Sequence, residues 1–399
     1  MKTILALALA MLLGSSCKHR NSSTDVKGHY EEFTYEQMRD SIGKQTVIAE
    51  HDPRNNAVVL SIEALTRHNK EDLVKSIFSA GAEKVYLTVP NGYSQSLATG
   101  KDFANLRSAI GNHIQKVKLI EQQDQGKLSV WARDWAPIGA LDQSKNPVLL
   151  DMNYYPNRVA DDSTARSMGK IEQLNRVSLP IYNEGGNFMS NSRDECLMTD
   201  RVLEANSYQH RPDDYILDEF GVRVGYHDLA GCKSIHIFPR MPHEGTGHID
   251  MWAKFLSDDT IIINELDVET IQFLPEGSND RIAAEDIRKY LVERRAELEG
   301  LGYTVVGIPM PTPIMSKGNV RSYTNSLLVQ KKVMVPRYLE RHQRNGPNVP
   351  YPDEEAIAKY EVKVQEVYKK LGYEVDWIEA DDLIALAGAI HCITMQLPL

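Results

Sequence analysis

Apolar positions along this chain alternate between two rhythms. Within residues 69–80, Leu73, Val74, Ile77 and Phe78 fall on one helical face, Gly81 follows as a stop, and 84–89 reads as a strand. The same order returns twice. Ile287, Leu291 and Leu298 stripe a helix that ends near Gly302, ahead of a strand over 303–308; Val364, Val367 and Leu371 lead through Gly372 into a strand over 373–378. Two of these copies share the tripeptide Leu-Gly-Tyr. Further buried strands are predicted at 57–62, 147–152, 260–266 and 332–338, interspersed with the helices. The predicted fold class is therefore α/β with an internal quasi-repeat. No linker breaks the interval from residue 45 to 399, which is expected to form one domain; two α/β lobes are the alternative.

The first residues follow a different pattern. Met1-Lys2-Thr3 precedes an apolar run over 4–13, too short to span a bilayer but suited to a signal-peptide core. Small residues 14–16 then lead to Cys17, an arrangement that resembles a bacterial lipoprotein signal with Cys17 as the lipidated residue, although Gly14 stands where leucine is usual. An ordinary cleaved leader with an incidental cysteine is the alternative. Residues 1–17 are thus expected to be a leader and 18–44 a polar tether, and the protein to be exported, either anchored in the periplasm or outer membrane or secreted. Beyond Cys17 stand Cys196, Cys232 and Cys392, an odd number for an oxidising compartment. Cys196 and Cys232 are either a disulfide or two buried thiols, and at least one cysteine is left over.

With 42% hydrophobic and 25% charged residues among 399, the composition is that of a globular protein. The 45 basic residues against 55 acidic ones give a net charge of −10, which argues against a general nucleic-acid binder and favours a cationic or neutral partner.

Polar clusters occur beside the apolar elements at intervals of 50 to 77 positions: Trp131-Ala-Arg-Asp134, Asn183-Glu184-Gly-Gly-Asn187, Gly245-Thr-Gly-His248-Ile-Asp250, Ser322-Tyr-Thr-Asn325 and Gly388-Ala-Ile-His391-Cys392. A repeated module that contributes one loop per copy brings such clusters to a common centre. His243, His248 and Asp250 also offer a loose metal-ligand spacing, without a second tight ligand cluster beside it.

Trp-x-Arg-Asp-x-x-Pro, Glu-Gly-Gly-Asn, Gly-His-x-Asp and Gly-x-Ile-His-Cys, in this order, resemble the agmatine deiminase and bacterial (Porphyromonas-type) peptidylarginine deiminase family of the guanidino-group-modifying superfamily. The likeness covers nearly the whole mature chain. It implies a five-bladed, pseudo-symmetric α/β propeller of the pentein kind and a cofactor-free, metal-free hydrolysis. A guanidinium is planar, cationic and poorly electrophilic. The resemblance assigns Asp134 and Asp250 to clamp it, Cys392 to attack its carbon as thiolate, and His248 to act as acid and then base. Asn325 is expected to fix the substrate or the thiol, Glu184 to orient His248 or a substrate amine, and Trp131 and Asn187 to help bind substrate. Arg158, in a segment resembling the peptidylarginine branch, is expected either to read a substrate carboxylate or to pair with Asp161 or Asp162. Two departures stand out. Ala387 occupies a place where the family commonly has glycine, and so does Ala136 before Pro137.

Export favours peptidyl-arginine, especially C-terminal, or free arginine as substrate, converted to citrulline and ammonia. Agmatine, giving N-carbamoylputrescine, is the alternative. A cysteine peptidase leaves two aspartates, Trp131 and Asn325 unexplained. An amidinotransferase needs an acceptor amine, and a degraded, arginine-peptide-binding lipoprotein sits poorly with a complete motif set.

Overall fold

The computed structural model describes residues 45–207, 216–339 and 352–398; the expected leader, Cys17 and the tether lie outside them. The strands run in chain order as β1 (Thr46–Val47), β2 (Ala57–Ser61), β3 (Lys84–Val89) and β4 (Val117–Glu121), followed by β5 (Ile138–Leu141), β6 (Pro147–Asn153) and β7 (Asn175–Tyr182). Next come β8 (Met189–Ser190), β9 (Glu195–Thr199) and β10 (Ser234–Phe238), then β11 (Ala253–Phe255), β12 (Thr260–Glu265) and β13 (Thr304–Pro309). The series ends with β14 (Leu327–Val329), β15 (Lys332–Arg337), β16 (Glu374–Glu379) and β17 (Met395–Leu397). Among the described residues these form five small sheets, ordered β17-β2-β3-β4, β1-β5-β6-β7, β8-β9-β10, β11-β12-β13 and β14-β15-β16.

All five share one plan. An antiparallel neighbour (β17, β5, β8, β11 or β14) lies against a central strand (β2, β6, β9, β12 or β15). That central strand pairs in parallel with the next one in sequence. Parallel neighbours cannot be joined by a tight turn, so a helix fills each crossover. The helices are Glu71–Ser79, Thr164–Glu172, Glu219–Ala230, Asn279–Gly300 and Pro352–Lys370. Ser278 and Asp218 begin two of them by accepting from the backbone N–H of Arg281 and Gly221. The central strands are apolar on both faces, as in Val58, Val59 and Leu60 or Ile261, Ile262 and Ile263, all fully buried.

Three of the five helix exits are the predicted ones. Gly81, Gly302 and Gly372 take φ of 99°, 95° and 88°, a region that L side chains avoid. The other two exits were not foreseen. Thr164–Glu172 closes on Gln173 at φ 56°, and Glu219–Ala230 closes on Gly231 directly before Cys232.

Cys232 forms a disulfide with Cys196 of β9 across 36 positions, resolving the open choice between bridge and buried thiols. Closing a loop of that length removes denatured-state entropy. Replacing both cysteines by serine is expected to lower stability by about 4 kcal/mol in denaturant unfolding.

Candidate active site

The five polar clusters occupy one equivalent place in the five sheets. Asp134 lies just before β5, Glu184 and Asn187 before β8, His248 and Asp250 before β11, Asn325 before β14 and Cys392 before β17. Each cluster is the lead-in to the antiparallel strand of its sheet. Backbone bonds then tie neighbouring lead-ins together: Arg133 N donates to Cys392 O at 3.0 Å and His391 N to Asn325 O at 3.2 Å.

The side chains meet in a nearly closed, charged centre. His248 Nε2 lies 3.0 Å from Glu184 Oε2. Glu184 Oε1 accepts from Tyr155 Oη at 2.5 Å, and Tyr155 in turn accepts from Arg201 Nη2 at 2.7 Å. The other imidazole nitrogen, Nδ1, faces Asp134 Oδ1 at 3.8 Å, beyond hydrogen-bond reach. On the far side Asp250 Oδ2 meets His391 Nδ1 at 2.7 Å and lies 3.8 Å from Cys392 Sγ. Asn325 holds the thiol, with Nδ2 3.2 Å from Sγ and Oδ1 accepting from the backbone of His391 at 3.1 Å.

Three buried polar atoms of this centre have no hydrogen-bond partner among the described residues: Asp134 Oδ1, Asp250 Oδ1 and His248 Nδ1. Buried groups of this kind are normally satisfied, so their concentration in one place marks a site that a polar ligand completes. Gly186 lies beside two of them, His248 Nδ1 and Asp134 Oδ1. A Cβ there would stand 2.6 Å from His248 Nδ1, 3.1 Å from Asp134 Oδ1 and 3.2 Å from Asp250 Oδ2.

The model of the Porphyromonas-type peptidyl-arginine deiminase family matches residues 53–398. The chain belongs to that family. Deiminases are hydrolases acting on C–N bonds, and guanidino deimination is the family's chemistry. A provisionally named agmatine deiminase of Shewanella baltica is 23% identical over 352 residues, covering 80% of this chain and 82% of its own length. The fold resembles an agmatine deiminase of C. jejuni solved with substrate bound, with a TM-score of 0.61, 16% identity, and coverage of 89% of this chain and 96% of that one. It also resembles a provisionally named arginine deiminase of Porphyromonas gingivalis, with a TM-score of 0.66, 18% identity, and coverage of 89% and 98%.

Charge follows from this family geometry. Burial alone would lower the basicity of His248, but Glu184, Asp134 and Asp250 outweigh it and raise its pKa to about 10. The imidazole is therefore cationic at neutral pH. Burial would likewise raise Glu184, yet the cation of His248 and its hydrogen bond bring that carboxyl down to about 2. Asp134 behaves oppositely: burial, reinforced by Glu184 and Asp250, lifts it to about 7 against the pull of His248. Burial and the carboxylates of Asp250 and Asp134 push the Cys392 thiol well above its ordinary range. A cation entering between the aspartates opposes that repulsion.

These shifts give a pH prediction. A cation that pairs with ionised Asp134 must, below about pH 7, first displace its proton. The expected apparent affinity rises roughly tenfold per pH unit up to about 7 and then levels. KM measured from pH 5 to 9 checks this, and Asp134→Asn should flatten that limb.

Not every expected residue faces the centre. Asn187 is fully buried with its amide used inside the scaffold: Nδ2 donates to Asn183 Oδ1 and Thr199 O, and Oδ1 accepts from Thr199 N and Oγ1. It shapes the Glu184 loop where substrate contact was expected. Arg158 is half exposed and pairs with Asp161 at 3.7 Å, one of the two arrangements foreseen for it. His243 faces Asp286 at 2.8 Å and is not gathered with His248. Trp131 packs its ring on Gly388, where a Cβ would stand 2.2 Å from Cζ3, so the tryptophan supports the loop that carries Cys392.

The two alanines at glycine positions fare differently. Ala136 takes an ordinary extended conformation (φ −74°, ψ 150°), whereas Ala387 holds φ of 65°, where a Cβ is costly. Sequence reasoning gave no role to Glu50, Gly186, Tyr155, Arg201 or His391. Gly186 and His391 stand inside the Glu-Gly-Gly-Asn and Gly-x-Ile-His-Cys motifs. Tyr155 lay in the segment read for Arg158, and nothing local marked Glu50 or Arg201.

Proposed function

We propose that this protein hydrolyses the guanidino group of C-terminal peptidyl-arginine or free arginine to citrulline and ammonia through a covalent adduct on Cys392. The observation that carries this reading is the convergence of unsatisfied Asp134 Oδ1, Asp250 Oδ1 and His248 Nδ1 beside the Asn325-held thiol. Two carboxylates suit the N–H edges of a planar cation. The bound cation promotes the Cys392 thiolate, the thiol proton leaving to solvent, and the sulfur bonds to the guanidinium carbon to give a tetrahedral adduct. His248, protonated at neutral pH, donates its proton to the departing nitrogen, and ammonia leaves a thiouronium on sulfur. Neutral His248 then takes a proton from water as the water oxygen bonds to the same carbon. Collapse of this second adduct breaks the carbon–sulfur bond, the hydroxyl proton passes to the departing sulfur to restore the thiol, and the ureido product is left. Glu184 orients His248, and Asn325 orients the thiol. The five like-built sheets, with their lead-ins at one centre, support a closed five-bladed propeller as the scaffold.

The Cys196–Cys232 disulfide suits an oxidising compartment and supports export, and the sequence around Cys17 is the basis for proposing a tether there. That placement favours arginine or its peptides. Agmatine is the second reading, supported by the name of the Shewanella baltica relative. Ureido-product formation from agmatine, free arginine and peptides with internal or C-terminal arginine tests both readings. We assign Arg158 to the substrate carboxylate. Arg158→Ala should raise KM for a C-terminal arginine peptide about tenfold, the worth of one charge-assisted pair, and leave agmatine unchanged. Equal losses on both substrates refute that role.

A further inference from the structure

A second ionic chain runs from Asp250 deeper into the protein. Beyond the 2.7 Å contact of Asp250 with His391 Nδ1, His391 Nε2 lies 3.0 Å from Glu50 Oε2. Glu50 accepts from Lys254 Nζ at 2.7 and 2.8 Å and from Gln396 Nε2 at 2.8 Å. Gln396 Oε1 accepts from Arg133 Nη2, whose side chain is also buried. Charges alternate along this line: Asp250, His391, Glu50, Lys254. Asp250 and Lys254 are fully buried, and His391 is 1% exposed.

Both ring nitrogens of His391 face carboxylates, and only a ring protonated on both can donate to each. A buried chain of ions is a poor way to stabilise a fold, because desolvation consumes most of the Coulomb gain. Its position suggests another use. His391 occupies Oδ2 of Asp250, leaving Oδ1 as the oxygen without a partner in the centre. The same residue precedes the nucleophile, and its backbone is gripped by the Asn325 that bonds the thiol.

We infer that Glu50 and His391 are positioning residues for deimination: Glu50 holds the His391 ring through Nε2, and that ring holds Asp250 through Oδ2, leaving Oδ1 free for the guanidinium. The inference rests on the deimination reading above. The charged and titratable groups around this pair are Asp250, Lys254, Arg133, Cys392 and His248, with Tyr368 and Tyr373 on the Glu50 side.

The test compares the wild type, Glu50→Gln, and the double variant Glu50→Gln with Lys254→Met, in which no lysine is left unpaired. Kinetics are measured on agmatine and on a C-terminal arginine peptide across pH, beside thermal unfolding. Glu50→Gln should raise KM about 10- to 100-fold with a smaller change in kcat, the range seen when an outer partner of a ligating histidine is lost. The double variant should regain thermal stability and keep the raised KM. If KM returns to the wild-type value together with stability, the network is structural only and the inference is overturned. A wild type that converts neither substrate overturns the deimination reading and this inference with it, an outcome visible before any variant is made.

Discussion

Cys392→Ser is expected to abolish turnover, lowering kcat by about 10⁴-fold or more, while the fold and substrate binding survive. The serine hydroxyl ionises far less readily than a thiol, and its surroundings make matters worse. Burial and the carboxylates of Asp250 and Asp134 already oppose a negative charge at this position, a handicap that the thiol of Cys392 can overcome when a cation is bound. Asn325 still has a hydroxyl to hold, and the variant adds no volume, so an unchanged melting temperature should accompany the lost rate. Retained binding of the guanidino substrate by calorimetry would separate catalysis from recognition. Mass spectrometry of the wild type during turnover should show the substrate-derived adduct on the peptide that contains Cys392. Substantial turnover by the serine variant would rule out the covalent route and leave direct attack by water.

Gly186→Ala carries the second largest expected effect, about 10²- to 10³-fold in kcat/KM, from a single methyl group. This glycine is not needed for a turn: its φ lies outside the left-handed region. The constraint is one of space, since the new carbon would crowd His248 Nδ1, Asp134 Oδ1 and Asp250 Oδ2 at 2.6 to 3.2 Å. It would occupy the ground between the two aspartates and place an apolar group against His248 Nδ1 and Asp134 Oδ1, which lack partners, and against the Asp250 oxygen that His391 holds. Gly186 N also donates to Asp134, so any shift that relieves the clash disturbs that carboxylate. The expected signature is a rise in KM for every guanidino substrate alike, unlike the substrate-selective effect expected of Arg158→Ala. A fully active alanine variant would mean that the guanidinium binds elsewhere.

How much of this was legible in the sequence depended on the range of the interactions involved. The modules 69–89, 287–308 and 364–378 could be read because a helical stripe, a glycine with positive φ and a β-rich run are local signals. Their sisters around 164–182 and 219–238 were missed where the same geometry is reached by other means. Gln173 takes the left-handed turn without being glycine, and the Gly231 exit runs straight into a disulfide-bonded cysteine. The candidate residues Asp134, Glu184, His248, Asp250, Asn325 and Cys392 were likewise visible, because each sits in a short polar motif beside an apolar strand. Glu50 was not, since its partner His391 lies 341 positions away and nothing in its own neighbourhood marks it.

By itself, then, the sequence determined three of the five helix-and-strand modules, the residue types at the centre and the family, all of which follow from local pattern and side-chain chemistry. The tertiary structure decided how those residues act on one another. It left Asp134 Oδ1, Asp250 Oδ1 and His248 Nδ1 buried without partners and turned Asn187 inward to the scaffold. It also raised Asp134 and His248 while lowering Glu184. The reason is physical: hydrogen bonding, desolvation and the fields between charges depend on distances of a few ångströms, and those distances are set by how the five sheets pack.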